Sequence, residues 1–363
     1  MITNIISITV VVIALIIYLF FMIFNFYQKK YYDQAYSPKA IRFGEMRKYP
    51  EKYIMDGFVS ISSEKQYQEA AAIKMINDKI NTDKNISVDN INFLMGYTYG
   101  VSFNRTNKSF VPFLEPTVCS KICAPFLGLK MDYRTTSSSK VFVDAIKYCI
   151  SQGHPILVQL DMATLLGKNS FYSISELIVG YNKNEFCYYE TFGIDNEKKK
   201  YVSVKKLVDA TNKLNTKFKK PWKYGFSVFN ASEKNQRIKD VIKINGRNLI
   251  GEVTPRTSSG SFAIADIAKH IKETKTFSYE WPLEVLAYSR SDNAKFFEEY
   301  FKDDTELKEV ANLFKVVSAK YNEALKIIKI EINEANINEV SRLLFENSQL
   351  EEQIGRIVEK VSN

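Results

Sequence analysis

Histidine is almost missing from this chain of 363 residues: His154 and His270 are the only two, and they lie far apart. Mechanisms that need an imidazole base, or a His-rich metal site, have little to draw on. Cysteine is sparse as well. Cys119, Cys123, Cys149 and Cys187 lack the spacing of a small secreted disulfide scaffold. Cys119 and Cys123 stand four apart with no His-rich motif downstream, so no metal site is expected and the thiols read as reduced and buried. No paired Cys/His finger and no RNP-type aromatic motif occurs, so no specific nucleic-acid partner is expected. No repeat of fixed period is present, and no cofactor is implied.

One long apolar run stands out against these absences. Ile5 to Phe24 is interrupted only by Ser7 and Thr9, and about 20 such residues suffice to span a bilayer as a helix. Tyr18, Phe20, Phe21, Phe24, Phe26 and Tyr27 gather toward its end like an interfacial belt. No Lys or Arg precedes the run and no small-residue cleavage site follows it, unlike a cleaved signal peptide. Lys29 and Lys30 come next, with Lys39, Arg42, Arg47 and Lys48 beyond. Positive residues tend to remain in the cytoplasm, so the expectation is a single-pass protein with its body inside. Reduced cysteines fit that compartment.

The net charge is +9, and much of the excess lies between Lys198 and Lys223. Lys198, Lys199, Lys200, Lys205, Lys206, Lys213, Lys217, Lys219, Lys220 and Lys223 form either a solvated face or a docking surface. The partners that suit it are anionic lipid and an acidic carrier protein.

The length allows two modest domains after the anchor. The divisions expected are an anchor over 1–30, a linker over 31–59, an α+β domain over 60–232 and a helical domain over 233–363. Apolar spacing predicts a helix over Ser63–Lys79, capped by Ser63, a strand or loop over Phe93–Phe103, and a helix over Val118–Leu127. A strand at Lys130–Thr135 and a helix at Lys140–Ser151 follow, the latter stopped by Gly153. Strands are expected at Ile156–Leu160, Leu177–Tyr181 and Glu185–Thr191, the last two a hairpin about Asn182–Asn184. A helix at Lys205–Asn215 and a strand at Tyr224–Phe229 complete the α+β pattern. Helices at Phe262–Glu273, Ala294–Phe301, Glu306–Ile328 and Ile337–Val361 suggest a bundle.

The order and spacing of several segments resemble the butirosin biosynthesis protein H family. These segments are FLMGYTYGVSF at Phe93, FLGLKMDYRTTSSSKVFVDAIKYCISQGHPILVQLD at Phe126, LIVGYN at Leu177, SSGSFAIADIAKHI at Ser258 and NAKFFEEYF at Asn293, with Glu351 and Glu352 on the last helix. The resemblance implies a papain-like domain, of the kind found in cysteine peptidases and acyltransferases, followed by a helical domain. It also implies a thiolate nucleophile at a helix start, a histidine base on the strand ending in LIVGYN, and an acidic partner. Here Gln68 stands at the nucleophile position. Ile174, within Ser173–Ser175, stands at the base position, and Glu190 falls near the acid position. The cleft is then expected to be lined by Tyr67, Gln68, Asp161, Glu176 and Glu190, with Asp161 serving equally well as a turn cap. The expected function is a membrane-anchored binding or scaffolding module with a degenerate papain-like site. The alternative is an acyltransferase or amide-handling enzyme with a rearranged site.

Overall fold

The computed structural model describes residues 2–42, 48–81, 85–191, 199–235 and 237–361. Arg47 and Lys198 therefore lie outside the described residues. The architecture is mixed α/β, with one large mixed sheet, a small second sheet, and twelve helices among the described residues, the first of them apolar.

That first helix, α1 (Ile2–Tyr36), is long and apolar enough to cross a membrane, and none of its apolar window is buried. Phe20 is 67% exposed and Tyr27 65%. The helix does not give way to a linker at residue 31. It runs unbroken to Tyr36, because its polar end has a seat. Tyr32 and Tyr36 pack edge-on against Trp222, Tyr36 also meets Tyr133, and the Tyr32 hydroxyl donates to the Phe218 carbonyl at 2.6 Å.

The large sheet has the order β1 (Lys39–Ala40), β5 (Leu129–Thr136), β10 (Tyr224–Ala231), β6 (Ile156–Asp161), β7 (Ser173–Tyr181), β8 (Glu185–Tyr189) and β9 (Lys199–Ser203). The short strand β2 (Tyr53–Ile54) also pairs with β7. All pairings are antiparallel except β1 on β5. The β7–β8 hairpin turns on Asn182, whose side-chain oxygen accepts from the Asn184 and Glu185 amides at 2.8 Å.

Side chains alternate along a strand and direct cross-strand partners share a face, so the register sorts the sheet into two sides. Phe142 of α5 (Ser139–Ser151) stacks on Tyr224 and packs on Phe226. That side continues through Val228, Ile156, Val158, Leu160, Ile174 and Glu176, and α7 (Val204–Lys217) lies beside α5 over it. The other side runs Tyr133, Ser227, Leu157, Gln159, Ser175. It is covered by α2 (Gln68–Ile80), α4 (Pro116–Cys123) and the last turn of α1.

α2 begins at Gln68, five residues later than the spacing predicts, and Ser63 does not cap it. The preceding segment is held in other ways. The Ser63 amide donates to Thr191, Lys65 pairs with Asp292 at 2.6 Å, the Gln66 amide donates to the Tyr288 hydroxyl, and the Tyr67 hydroxyl donates to Asp292. The stretch Phe93–Phe103 is neither one strand nor one loop. It contains the end of α3 (Val88–Met95), a left-handed turn at Gly96, and β3 (Ser102–Asn104). Gly96 has φ 63°, and a Cβ there would meet Asn245 Oδ1 at 2.2 Å, so glycine fits on both counts.

β3 and β4 (Phe110–Val111) join β11 (Thr257–Ser259) in the small sheet, which ties residues before and after position 232 together. α6 (Met162–Leu165) is a single turn after β6. Beyond β10 come α8 (Ile238–Ile250), α9 (Gly260–Thr274), α10 (Glu280–Tyr300), α11 (Thr305–Ile330) and α12 (Glu334–Val361). α10 starts fourteen residues earlier than its apolar spacing predicts. Its buried face includes Ser289, Arg290, Asp292 and Asn293, which blur the pattern, and Pro282 sits harmlessly in its first turn. One apolar core runs without a break from the sheet into these helices.

Candidate functional site at the start of the second helix

The first turn of α2 faces a polar interior. Gln68 is the first residue of the helix. Its amide donates to Gln66 at 2.9 Å and to the Tyr172 hydroxyl at 3.3 Å, and the Tyr172 hydroxyl donates back to Gln66 at 3.1 Å. These side chains close on one another at the molecule's surface, where Tyr172 is exposed. Gln68 carries neither a nucleophilic atom nor a titratable group.

Glu69 is the group the sequence reading missed. It is wholly buried, and its Oε1 accepts from Ser120 Oγ at 2.7 Å. Its Oε2 has no protein partner, and neither does Ser175 Oγ, which lies beside it but outside hydrogen-bond geometry. Burial raises the Glu69 carboxyl to about 7, against a downward pull from Ser175, Ser120 and Lys220. A signal was present: Glu69 precedes Ala72 by three residues and Ile73 by four, so it falls on the helix's core stripe.

Behind Glu69 the interior continues to Glu115, which caps α4 by accepting from the Val118 amide. Gln159 of β6 donates to Glu115 at 2.6 Å and accepts from Lys220 Nζ at 2.9 Å. Lys220 was assigned to a basic docking surface, but its side chain is only 3% exposed. It lies over the Tyr36 ring at 4.6 Å, and burial pulls its amine down to about 8. α1 thus ends on top of this interior: Tyr36, Tyr133 and Trp222 form a small aromatic cluster there, with Tyr36 Oη and Trp222 Nε1 unpartnered.

The remaining expected residues are dispersed. Tyr67 is buried and turned toward Asp292 of α10 rather than lining a cleft. Asp161 starts α6 and serves the turn. It accepts from Thr164 at 2.6 Å and from the Tyr172 amide at 2.8 Å, and it pairs with Lys213 of α7 at 2.8 Å. Lys213 and these hydrogen bonds hold the Asp161 carboxyl below the usual range, against burial.

Ile174 and Glu176 pair with Leu160 and Val158, on the α5/α7 side of the sheet. Continuing the Leu177–Tyr189 pairing by one and two residues sets Glu190 opposite Glu176 and Thr191 opposite Ser175, and the Thr191 hydroxyl donates to the Ser175 carbonyl. The positions that share the α2 side are therefore Ser175 and Thr191, one residue along from Ile174 and Glu190. Glu190 pairs with Lys200 instead. Glu176 is wholly buried, with neither carboxylate oxygen partnered, and burial pushes its carboxyl well above the ordinary value.

The thiols stand apart from this chemistry. All four cysteines are buried thiols, none in a disulfide. Burial, with Glu115, Glu69 and Cys123 nearby, pushes the Cys119 thiol well up, and burial does the same for Cys123. His154 follows α5, where burial and Arg134 pull its imidazole down; His270 sits between the rings of Phe103 and Tyr279. Among the described residues no group of three or more His, Cys, Asp or Glu is placed to hold a metal ion. Among the described residues the other expected surface lysines are more exposed than Lys220, although Lys206 reaches the Leu165 carbonyl and Lys217 lies over the Phe171 ring.

No family model matches the chain, and no curated protein matches it.

Proposed function

We propose that the chain is a membrane-anchored protein of the butirosin biosynthesis protein H type whose papain-like site has lost catalysis and serves as a binding or scaffolding module. In this reading α1 spans the bilayer and the lysines at its end keep the body in the cytoplasm. The observation that carries it is the set of residues gathered at the start of α2. Gln68 occupies the helix start, Ser175 and Thr191 occupy the facing strand positions, and the nearest thiols are buried in their neutral form. The papain-like mechanism needs a thiolate paired with a histidine, and this interior holds no cysteine at the helix start and no histidine on the facing strand. The polar floor is retained, and α1 lies across it.

The test is labelling of the full chain in detergent and in bilayer discs with an acyl-thioester or vinyl-sulfone probe. No cysteine is expected to react in the folded protein. Stoichiometric labelling of one cysteine, abolished by its replacement with serine, would sink the proposal in favour of an acyltransferase with a rearranged site. Protease added outside intact cells is expected to leave the body whole, and its digestion would overturn the cytoplasmic placement.

A further inference from the structure

The segment Lys217-Phe218-Lys219 ends α7 and forms a tight tip in which Lys219 adopts a left-handed backbone, φ 52°. Phe218 is 47% exposed, between two exposed lysines. The tip is tied to the anchor helix, because the Phe218 carbonyl accepts the Tyr32 hydroxyl and Tyr32 packs on Trp222 four residues further along. A second exposed loop abuts it: the Phe171 ring lies 5.8 Å from that of Phe218, and Leu166 in the same loop is 57% exposed.

The position of Tyr32 fixes the height of this tip. It lies five residues past Tyr27, about 7.5 Å along a helix that rises about 1.5 Å per residue. The headgroup layer extends about 5–8 Å beyond the hydrocarbon on each side. An exposed aromatic flanked by lysines is therefore held at headgroup depth, near the level of Lys29 and Lys30 along α1. Cationic side chains there are attracted by an anionic leaflet, and an aromatic ring suits the interface between headgroup and hydrocarbon.

We infer that the Lys217–Lys219 tip, with Lys29 and Lys30, is a docking surface for anionic phospholipid headgroups of the same leaflet from which α1 emerges. The inference rests on the spanning helix of the proposed function and deepens it: the lipid contact falls on the tip beside the anchor, away from the buried Lys220 and from Lys200 on its ion pair with Glu190.

The test places a fluorophore on Thr216→Cys, next to the tip. The four native cysteines are buried, so the new thiol is the one that labels. The full chain is reconstituted in phosphatidylcholine discs with and without phosphatidylserine, each doped with a headgroup-nitroxide quencher lipid. Quenching is expected to rise several-fold with phosphatidylserine. It should fall back to the neutral-lipid level in Lys217→Glu/Lys219→Glu and in high salt. Equal quenching in the two lipids overturns the docking surface while leaving the anchor intact. A change in dye emission on adding soluble polyglutamate to neutral discs, with no response to phosphatidylserine, overturns it in favour of an acidic protein. Failure of the unmodified chain to float with neutral vesicles overturns the spanning-helix reading itself.

Discussion

The molecule buries two polar clusters, and they are built on opposite principles. In the helical region Arg290 and Glu351, both fully buried, form a bidentate pair at 2.8 Å on each arm. Tyr321 donates to the same carboxylate at 3.0 Å, Arg290 donates to the Thr98 carbonyl at 2.7 Å, and the guanidinium lies over the Tyr99 ring. Charge is balanced and α10, α11, α12 and the turn after α3 are tied at one point. The cluster under α2 and the strands behind it lacks this closure. Glu69 Oε2, Ser175 Oγ, Tyr36 Oη and Trp222 Nε1 have no protein partner, and on the opposite side of the sheet neither has either oxygen of Glu176. A satisfied buried network acts as a clamp, whereas unpartnered buried polar groups cost stability. The difference separates the part of the fold that holds shape from the part that keeps a polar site.

Removing one side of the clamp tests this most strongly. Arg290→Met leaves the Glu351 charge buried without its cation, held by the Tyr321 hydroxyl, and should cost about 3–5 kcal/mol in urea unfolding. A loss below about 1 kcal/mol would mean the pair is not the clamp described.

Glu69 should give the next largest effect, and it depends on pH. Its carboxyl titrates near 7 in the folded protein against 4.5 for the ordinary group. Between those values the folded form holds a proton that the unfolded chain has lost. Stability therefore falls as pH rises through this window, by about 3 kcal/mol, and then levels off. Glu69→Gln should flatten the fall, measured as the urea midpoint at about pH 5 and about pH 7.5. An unchanged slope would contradict the assignment.

Glu176→Leu should do the reverse of Arg290→Met and stabilise, by about 1–3 kcal/mol, since it removes an unpartnered carboxyl from an apolar face. A lowered melting temperature would show that Glu176 has a partner in solution. The smallest effect on stability, but the sharpest for geometry, comes from rebuilding the site. Gln68→Cys with Ser175→His should gain probe labelling, whereas Gln68→Cys with Ile174→His should not. Equal labelling would refute the division of β7 into two faces.

The large elements were legible because their signals are local. The hairpin about Asn182, the helix before Gly153 and the long amphipathic helices α11 and α12 follow from turn chemistry and apolar spacing. The site was less legible. A one-residue uncertainty in aligning β7 exchanges Ile174 for Ser175 and so moves a candidate to the other side of the sheet. Glu69 was readable from its place on the core stripe of α2. Lys220 was not, since a run of lysines carries no mark of the one that Tyr36 and Gln159 draw inward. The start of α10 was hidden for the same reason, because Arg290 and Asp292 look like surface residues until their partners Glu351 and Lys65 are brought across from distant segments.

The helix that runs unbroken from Ile2 to Tyr36 has a mechanical consequence. With no hinge between its apolar length and its seat on Trp222, it acts as a stiff mast, and the body must follow its tilt. Membrane helices lean by about 20° on average and adjust that lean to bilayer thickness. In the proposed placement of α1 across a bilayer, a thinner membrane would tip the mast further and swing the far end of the helical bundle through an arc, so the polar site would be presented at an angle set by the lipid around it.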